Sequence, residues 1–246
     1  MTPAELLDET IDAHGGRERW RRVRAVRARL SSGGLAFRSR GQPDALKALE
    51  IEMRPHEVAV TLDDFVRPGW RGAWSPALAA IHDGNGRPVE QRSEPRKHFG
   101  GAVGRVYWDK LDILTFAGYA LWNYLSFPFL LERPGVELTG AAPAGEGGVV
   151  RLDVRFPPDA PTHSERQSFY IDGGRRLVRH DYTAEPIGRW ATGANLCLAS
   201  EVVGGLRFST RRKVLPRIGR TAVPFPTLVW IELDGVSVEF DASAAG

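Results

Sequence analysis

The chain has 246 residues, with 33 Lys and Arg against 30 Asp and Glu for a formal charge of +3, and 42% hydrophobic residues alongside 27 Gly and 17 Pro. This composition gives a folded, turn-rich chain enough material for one sizeable core, and it excludes an intrinsically disordered protein, a low-complexity tract and a fixed-period repeat. A single cysteine, Cys197, excludes an internal disulfide and a cysteine-based metal site.

The opening segment MTPAELLDETIDAHGG has no basic stretch ahead of an apolar one and no lipidation motif, so a cytoplasmic protein is expected. Thr2, Pro3 and Glu5 form a capping box with proline at the first helical position. Leu6, Leu7, Thr10 and Ile11 continue at helical spacing, and Gly15-Gly16 stops the helix, which is placed at about 3–14. A short second turn, Arg17 to Val23, follows. The arginine-rich run Arg17–Arg29 with Trp20 has the composition of a phosphate-binding stripe. However, Arg27 and Arg29 alternate with Val26, Ala28 and Leu30 as the wet face of a strand does, so nucleic acid is not an expected partner.

From here the period is two. Leu35 and Phe37; Leu49, Ile51 and Met53; and Val58, Val60 and Leu62 each alternate with other residues and predict strands with one apolar face. Gly100 to Gly104 lacks the order of a phosphate-binding loop and is taken as a connector. The nineteen residues Ile113–Leu131 carry no charge and six aromatics, a length near that of a bilayer span. Pro128, the amide of Asn123, and Asp109, Lys110 and Asp112 at the start argue instead for a buried helix, placed at about 106–126, that runs into an extended aromatic loop Phe127-Pro128-Phe129. No transmembrane span is expected.

Alternation then resumes with Val150, Leu152, Val154 and Phe156. Asp172-Gly173-Gly174-Arg175 turns Gln167–Ile171 into Leu177–Thr183, and Val203-Gly204-Gly205-Leu206 turns Asn195–Val202 into Leu206–Leu215. Asp234-Gly235, a favoured two-residue turn, is expected to join Val229–Leu233 to Val236–Phe240 as a last hairpin. Arg211-Arg212-Lys213 with Arg217 and Arg220 reads as a solvated basic strand end. In all, about ten strands form one antiparallel meander whose apolar face needs a cover, and two helices supply it. The fold class is therefore mainly β: a single domain, 1–246, built as a curved, open half barrel with the N-terminal and central helices over its concave face.

A leading helix ending in His14-Gly15-Gly16, then Trp20 and Val23 opening a long meander, and the late hairpin Phe169-Tyr170-Ile171-Asp172 to Leu177-Val178-Arg179-His180-Asp181-Tyr182 resemble the LolA/LolB-like lipoprotein-carrier superfamily. That resemblance implies a half barrel with a helical lid over a greasy cavity. It does not by itself imply lipoprotein carriage.

Chemistry-bearing motifs are few. The six histidines, at 14, 56, 82, 98, 163 and 180, never fall at metal-ligand spacing, and no nucleophile elbow or phosphate-binding Walker sequence occurs, so neither metal nor cofactor is expected. On a strand His180 and Tyr182 share one face with Val178; were the chain an enzyme, His180 would be its acid/base and Tyr182 a hydrogen-bond donor. On the central segment Trp108, Phe116, Tyr119 and Asn123 fall in one stripe. Tyr119, Trp122, Asn123 and Tyr124 bring polar heads that a dry core does not satisfy. The expected ligand-binding set is Trp108, Phe116, Tyr119, Trp122, Asn123, Tyr124, Phe127, Phe129, His180 and Tyr182, around a hydrophobic small molecule or lipid. Three readings remain open: carrier or sensor, a cavity enzyme for an apolar substrate, and a structural protein that docks a partner through Phe127 and Phe129.

Overall fold

A computed structural model describes residues 1–100, 107–145 and 147–241. Its fourteen strands form one antiparallel sheet. The first half comprises β1 (Val23–Gly33), β2 (Leu49–Arg54), β3 (Ala59–Asp63), β4 (Arg71–Trp74), β5 (Leu78–His82) and β6 (Pro88–Ser93). The second comprises β7 (Glu137–Pro143), β8 (Val150–Arg155), β9 (Arg166–Ile171), β10 (Leu177–Thr183), β11 (Thr192–Val203) and β12 (Leu206–Ile218), followed by the two-residue β13 (Thr221–Ala222) and β14 (Val229–Phe240). Each half is a meander, and β14 joins them by pairing with β1 on one side and β12 on the other, leaving β6 and β7 as free edges. The sheet is a half barrel, as its one-sided alternation requires. Outward residues such as Arg27 and Arg29 are exposed while Val26, Ala28 and Leu30 are buried, and Arg27 is held between Glu52 and Glu239, both at 2.7 Å.

Among the described residues four α-helices accompany the sheet: α1 (Pro3–Ala13), α2 (Arg17–Arg21), α3 (Leu35–Arg38) and α4 (Lys110–Ser126). The Thr2 capping box forms, and α1 buries Leu6, Leu7, Thr10 and Ile11. After it, Gly15 sits at φ +109°, where an added Cβ would lie 2.2 Å from the Gly205 carbonyl oxygen. Only glycine serves both the conformation and the contact. In α4 every residue from Leu111 to Ser126 is buried. A helix apolar all round must be enclosed on all sides, and here the sheet lies beneath it while the 156–163 segment lies against its other flank. Among the described residues no helix is long and apolar enough to cross a membrane.

Gly118 lets α4 lie on β4, because a Cβ there would stand 2.4 Å from Trp74 Cγ. Gly118→Ala gains about 1 kcal/mol of helix propensity but forces Trp74 aside, and overpacking of this kind costs about 1–3 kcal/mol. The net expectation is destabilisation, read as a lower urea midpoint at unchanged slope; a higher midpoint would show that the ring has room to move.

Several expectations are corrected. Leu35–Arg38 is a helical turn rather than a strand, since Gly34 at φ +128° redirects the chain and the Leu35 and Ala36 amides bond to the Thr227 and Leu228 carbonyls at 3.1 and 2.9 Å. Asp234-Gly235 makes no hairpin: β14 runs straight through, and Gly235 at φ +60° is the extra residue of a bulge opposite β1, where Arg27 pairs with Ser237 and Arg29 with Asp234. The central helix begins at Lys110, not near 106, because Asp109 caps it. The 127–129 segment is not extended throughout; Phe127 is, and a 3₁₀ turn then covers Phe129–Glu132. Strands β4 to β7 lacked an alternation strong enough to predict. The Gly100–Gly104 connector falls, after Gly100, outside the described residues.

Candidate functional site

The start of α4 is tied down by charge. Asp109 and Asp112 cap it reciprocally, Arg92 on β6 bonds Asp109 Oδ2 at 2.5 Å and Asp112 Oδ1 at 2.8 Å, and His98 Nδ1 meets Asp112 Oδ1 at 2.9 Å. Acidic groups also suit a helix N-terminus. Just before the cap, Trp108 is buried among Phe37, Phe99 and Phe116, with the Arg40 guanidinium 4.8 Å from its ring.

The predicted aromatic set does not converge on one point. Phe116, Tyr124 and Tyr182 face the sheet interior and share a cavity there. Tyr119 and Asn123 face the 156–163 segment instead, where Asn123 Nδ2 donates to the Tyr119 and Pro161 carbonyls at 2.7 and 2.6 Å. Trp122 Nε1 donates to the Pro55 carbonyl at 3.1 Å beneath Arg133. Phe127 stacks on Phe169 at 5.3 Å, and Phe129 on Trp20 at 4.5 Å with an interplanar angle of 8°. Both rings are buried, so neither offers the exposed docking surface that the partner reading required.

His180 and Tyr182 do share the inner face, but with Leu177 rather than Val178, because a bulge between Leu177 and Arg179 shifts the alternation. Around them lies a buried polar cluster. The Tyr124 hydroxyl is 2.9 Å from His163 Nε2 and 3.0 Å from the Tyr182 hydroxyl; His163 stacks on Tyr182 at 3.7 Å. His180 Nε2 meets Gln167 Oε1 at 2.5 Å, and the Gln167 amide donates to Thr162 and Ser164. Arg212 lies 4.5 Å from the Tyr124 ring centre. It belonged to the basic run expected to be solvated, yet it is 2% exposed, since on β12 it alternates inward while Arg211 and Lys213 turn outward. Arg217 is held 3.5 Å from Asp181. His163 and Arg212 are the members that sequence reasoning missed: one sits in an irregular loop, the other inside a charged run, and only strand parity hints at the second.

Burial holds His163 and His180 well below the ordinary histidine range, aided by the Arg212 charge, so both are neutral at neutral pH. Burial raises Tyr182 strongly and brings Tyr124 to about 12. His14, buried with its Nδ1 2.8 Å from the Thr10 carbonyl, is lowered to about 4, chiefly by desolvation. A base depressed in the folded state binds its proton more readily when unfolded. The stability these three imidazoles support is therefore complete above about pH 6.5 and lost as pH falls below it, with a slope of about 1.4 kcal/mol per pH unit for each. Urea unfolding between pH 7.5 and 4.5 should show the decline starting near pH 6.5, lessened in His14→Gln; a flat profile down to pH 4.5 would mean that the rings titrate freely in the native state.

Two adjacent spaces lie at this end of the barrel. The inner one, of about 30 Å³, is bounded by Ser32, Phe116, Tyr124, Tyr182, Val214 and Ile231. The outer one, of about 400 Å³, opens at the mouth between α3 and the 184–193 loop, lined by Leu35, Ala36, Ile187, Ala191, Val214 and Leu228. Both are bordered by Phe116, Tyr182, Val214 and Val229. Trp190 and Ile218 stand at the rim, 73% and 75% exposed. His180 lines neither space. Among the described residues, no three His, Cys, Asp or Glu side chains gather as metal ligands.

No family model matches the sequence, and no curated protein matches it. Solved structures do match the fold. A DUF1329 family protein from Desulfovibrio piger aligns with a TM-score of 0.52 at 10% identity, over 98% of this chain and 94% of that one. A LolA superfamily protein from Nitrosomonas europaea aligns with a TM-score of 0.51 at 8% identity, over 97% of this chain and 94% of that one. The chain thus has the LolA-like half-barrel fold.

Proposed function

We propose that this protein binds a hydrophobic small molecule or lipid in the mouth pocket, as a carrier or sensor. The observation that carries this reading is the outer space itself. It has the size of a small-molecule site and mostly apolar walls, with a few polar groups, Tyr182 and Arg217 among them, converging on it. The LolA-like architecture supports it by analogy only. Trp122 and Asn123 border a separate space of about 370 Å³ beside the 156–162 segment, and Tyr119 one of about 480 Å³ beside Pro95 and Arg96, so the expected set is divided among several spaces and the guest of the mouth pocket meets only part of it. Phe116 and Tyr182 are the residues of the expected set that line the pocket.

Native mass spectrometry of the protein as purified, and again after solvent delipidation, tests this. A discrete adduct lost on delipidation, and a melting temperature that rises when fatty acids or other single-chain lipids are added back, are the expected results. An empty protein with no thermal response to any lipid class would remove the reading. The acid/base role for His180 finds no support, because the ring is locked on Gln167 away from the pocket.

A further inference from the structure

We propose that the guest of the mouth pocket is a long-chain carboxylic acid, held head-inward with its carboxylate against the Arg212 guanidinium and the Asn195 amide. The proposal rests on the pocket reading above and deepens it. Arg212 lies in the sheet between Cys197 and Ile231 and is 2% exposed. Its Nη1 meets the Cys197 sulfur at 3.2 Å and its Nη2 the Tyr124 carbonyl at 3.4 Å, while Nε has no hydrogen-bond partner. Among the described residues no carboxylate pairs with it. A cation taken out of water without a counter-ion is strongly disfavoured, and an anion with two oxygens is the group that suits a guanidinium best.

Asn195 supplies the second observation. It is fully buried on β11, paired in register with His180 and with Val214, two residues along from Arg212 on the same face. Its amide lies near enough to the Tyr124 hydroxyl to favour the ionised phenol weakly, but neither Nδ2 nor Oδ1 has a partner at hydrogen-bond distance. Unpaired buried amides are rare and ask for an explanation.

Position links these groups to the pocket. Tyr124, Val214 and Ile231 bound the inner space of about 30 Å³, and Arg212 and Asn195 stand behind that wall, Arg212 against the Tyr124 ring and Asn195 paired with Val214. That volume is close to the share of one water molecule. A carboxylate, being smaller than a phosphate headgroup, needs less side-chain movement to enter it. The inner space shares the walls Phe116, Tyr182, Val214 and Val229 with the outer, apolar space where an alkyl tail would lie. Burial, with a smaller contribution from the Arg212 charge, keeps His163 and His180 neutral, so neither ring adds to the positive charge of Arg212.

Displacement of a fluorescent probe by hexadecanoic acid, 1-hexadecanol and methyl hexadecanoate, at pH 7.5 and low salt, tests the proposal. The wild-type protein should bind the acid at least about tenfold more tightly than the alcohol, as expected for a charge-assisted pair. In Arg212→Met the ratio should fall to near one, and Asn195→Leu should reduce it several-fold. A purely structural arginine stacked on Tyr124 would lower stability without changing the ratio. Equal binding of acid and alcohol by the wild-type protein, or a preference that survives in Arg212→Met, overturns the carboxylate while leaving the pocket intact. Binding of none of the three overturns the pocket as well. Should Arg212→Met fail to fold, the wild-type ratio and Asn195→Leu still decide.

Discussion

Ala191→Trp should empty the mouth pocket. Ala191 lies on its wall in the 184–193 loop and is only partly buried. Its amide and carbonyl are already bonded to Gly188 and Ala184 at 2.9 and 2.8 Å, so the backbone holds its place when the side chain grows. An indole there projects into space that the guest would use. Excluding roughly 110 Å² of apolar contact at about 25 cal/mol/Å² removes about 2.8 kcal/mol, or about a hundredfold in affinity. Probe titration on wild type and variant, with melting temperatures run alongside, gives the answer. An unchanged affinity in a well-folded Ala191→Trp protein would place the guest elsewhere, or nowhere.

Asp112→Ala should be the most destabilising single change at the roof. The carboxylate is 2% exposed and serves three groups at once: the Asp109 amide at 3.0 Å, Arg92 at 2.8 Å and His98 at 2.9 Å. Removing it deletes half of a capping box, worth about 1 kcal/mol, and leaves a partly buried guanidinium with one partner fewer. Breaking a buried pair typically costs about 3–5 kcal/mol, and the partial exposure of Arg92 places the sum near the lower end. A fall of about 3 kcal/mol lowers the melting temperature of a chain this size by about 6–12 °C. Asp8→Ala, at the exposed Asp8–Arg17 pair, is the control and should change stability by less than about 1 kcal/mol. Similar losses in the two variants would mean that α4 does not depend on its N-terminal anchor.

The sequence made some of this legible because the signals were local. The Thr2 capping box, the Asp172–Arg175 and Val203–Leu206 turns, and the alternation in β1, β2, β3 and β8 each lie within a few residues, so the backbone rules that create them act without distant partners. The same rules misled where local preference was outvoted. Asp234-Gly235 is a good hairpin turn in isolation. With β1 and β12 available on its two flanks, β14 gains more by running straight and using Gly235 as a bulge. Leu35–Phe37 offered three residues of alternation, too few to resist the turn that Gly34 imposes.

What the sequence determined alone is that a one-sided sheet and an uncharged, aromatic helix must meet, since neither can face water over such lengths. That is a statement about hydrophobic area, which composition and period carry. Which polar groups come together inside was decided only by tertiary structure. The bulge at Leu177–Arg179 sets the face of His180, strand register brings Asn195 beside it, and Arg212 is carried inward from a charged run. Register and bulges are fixed by pairing between segments far apart in the chain, and a one-residue change in either reverses which side chains face inward.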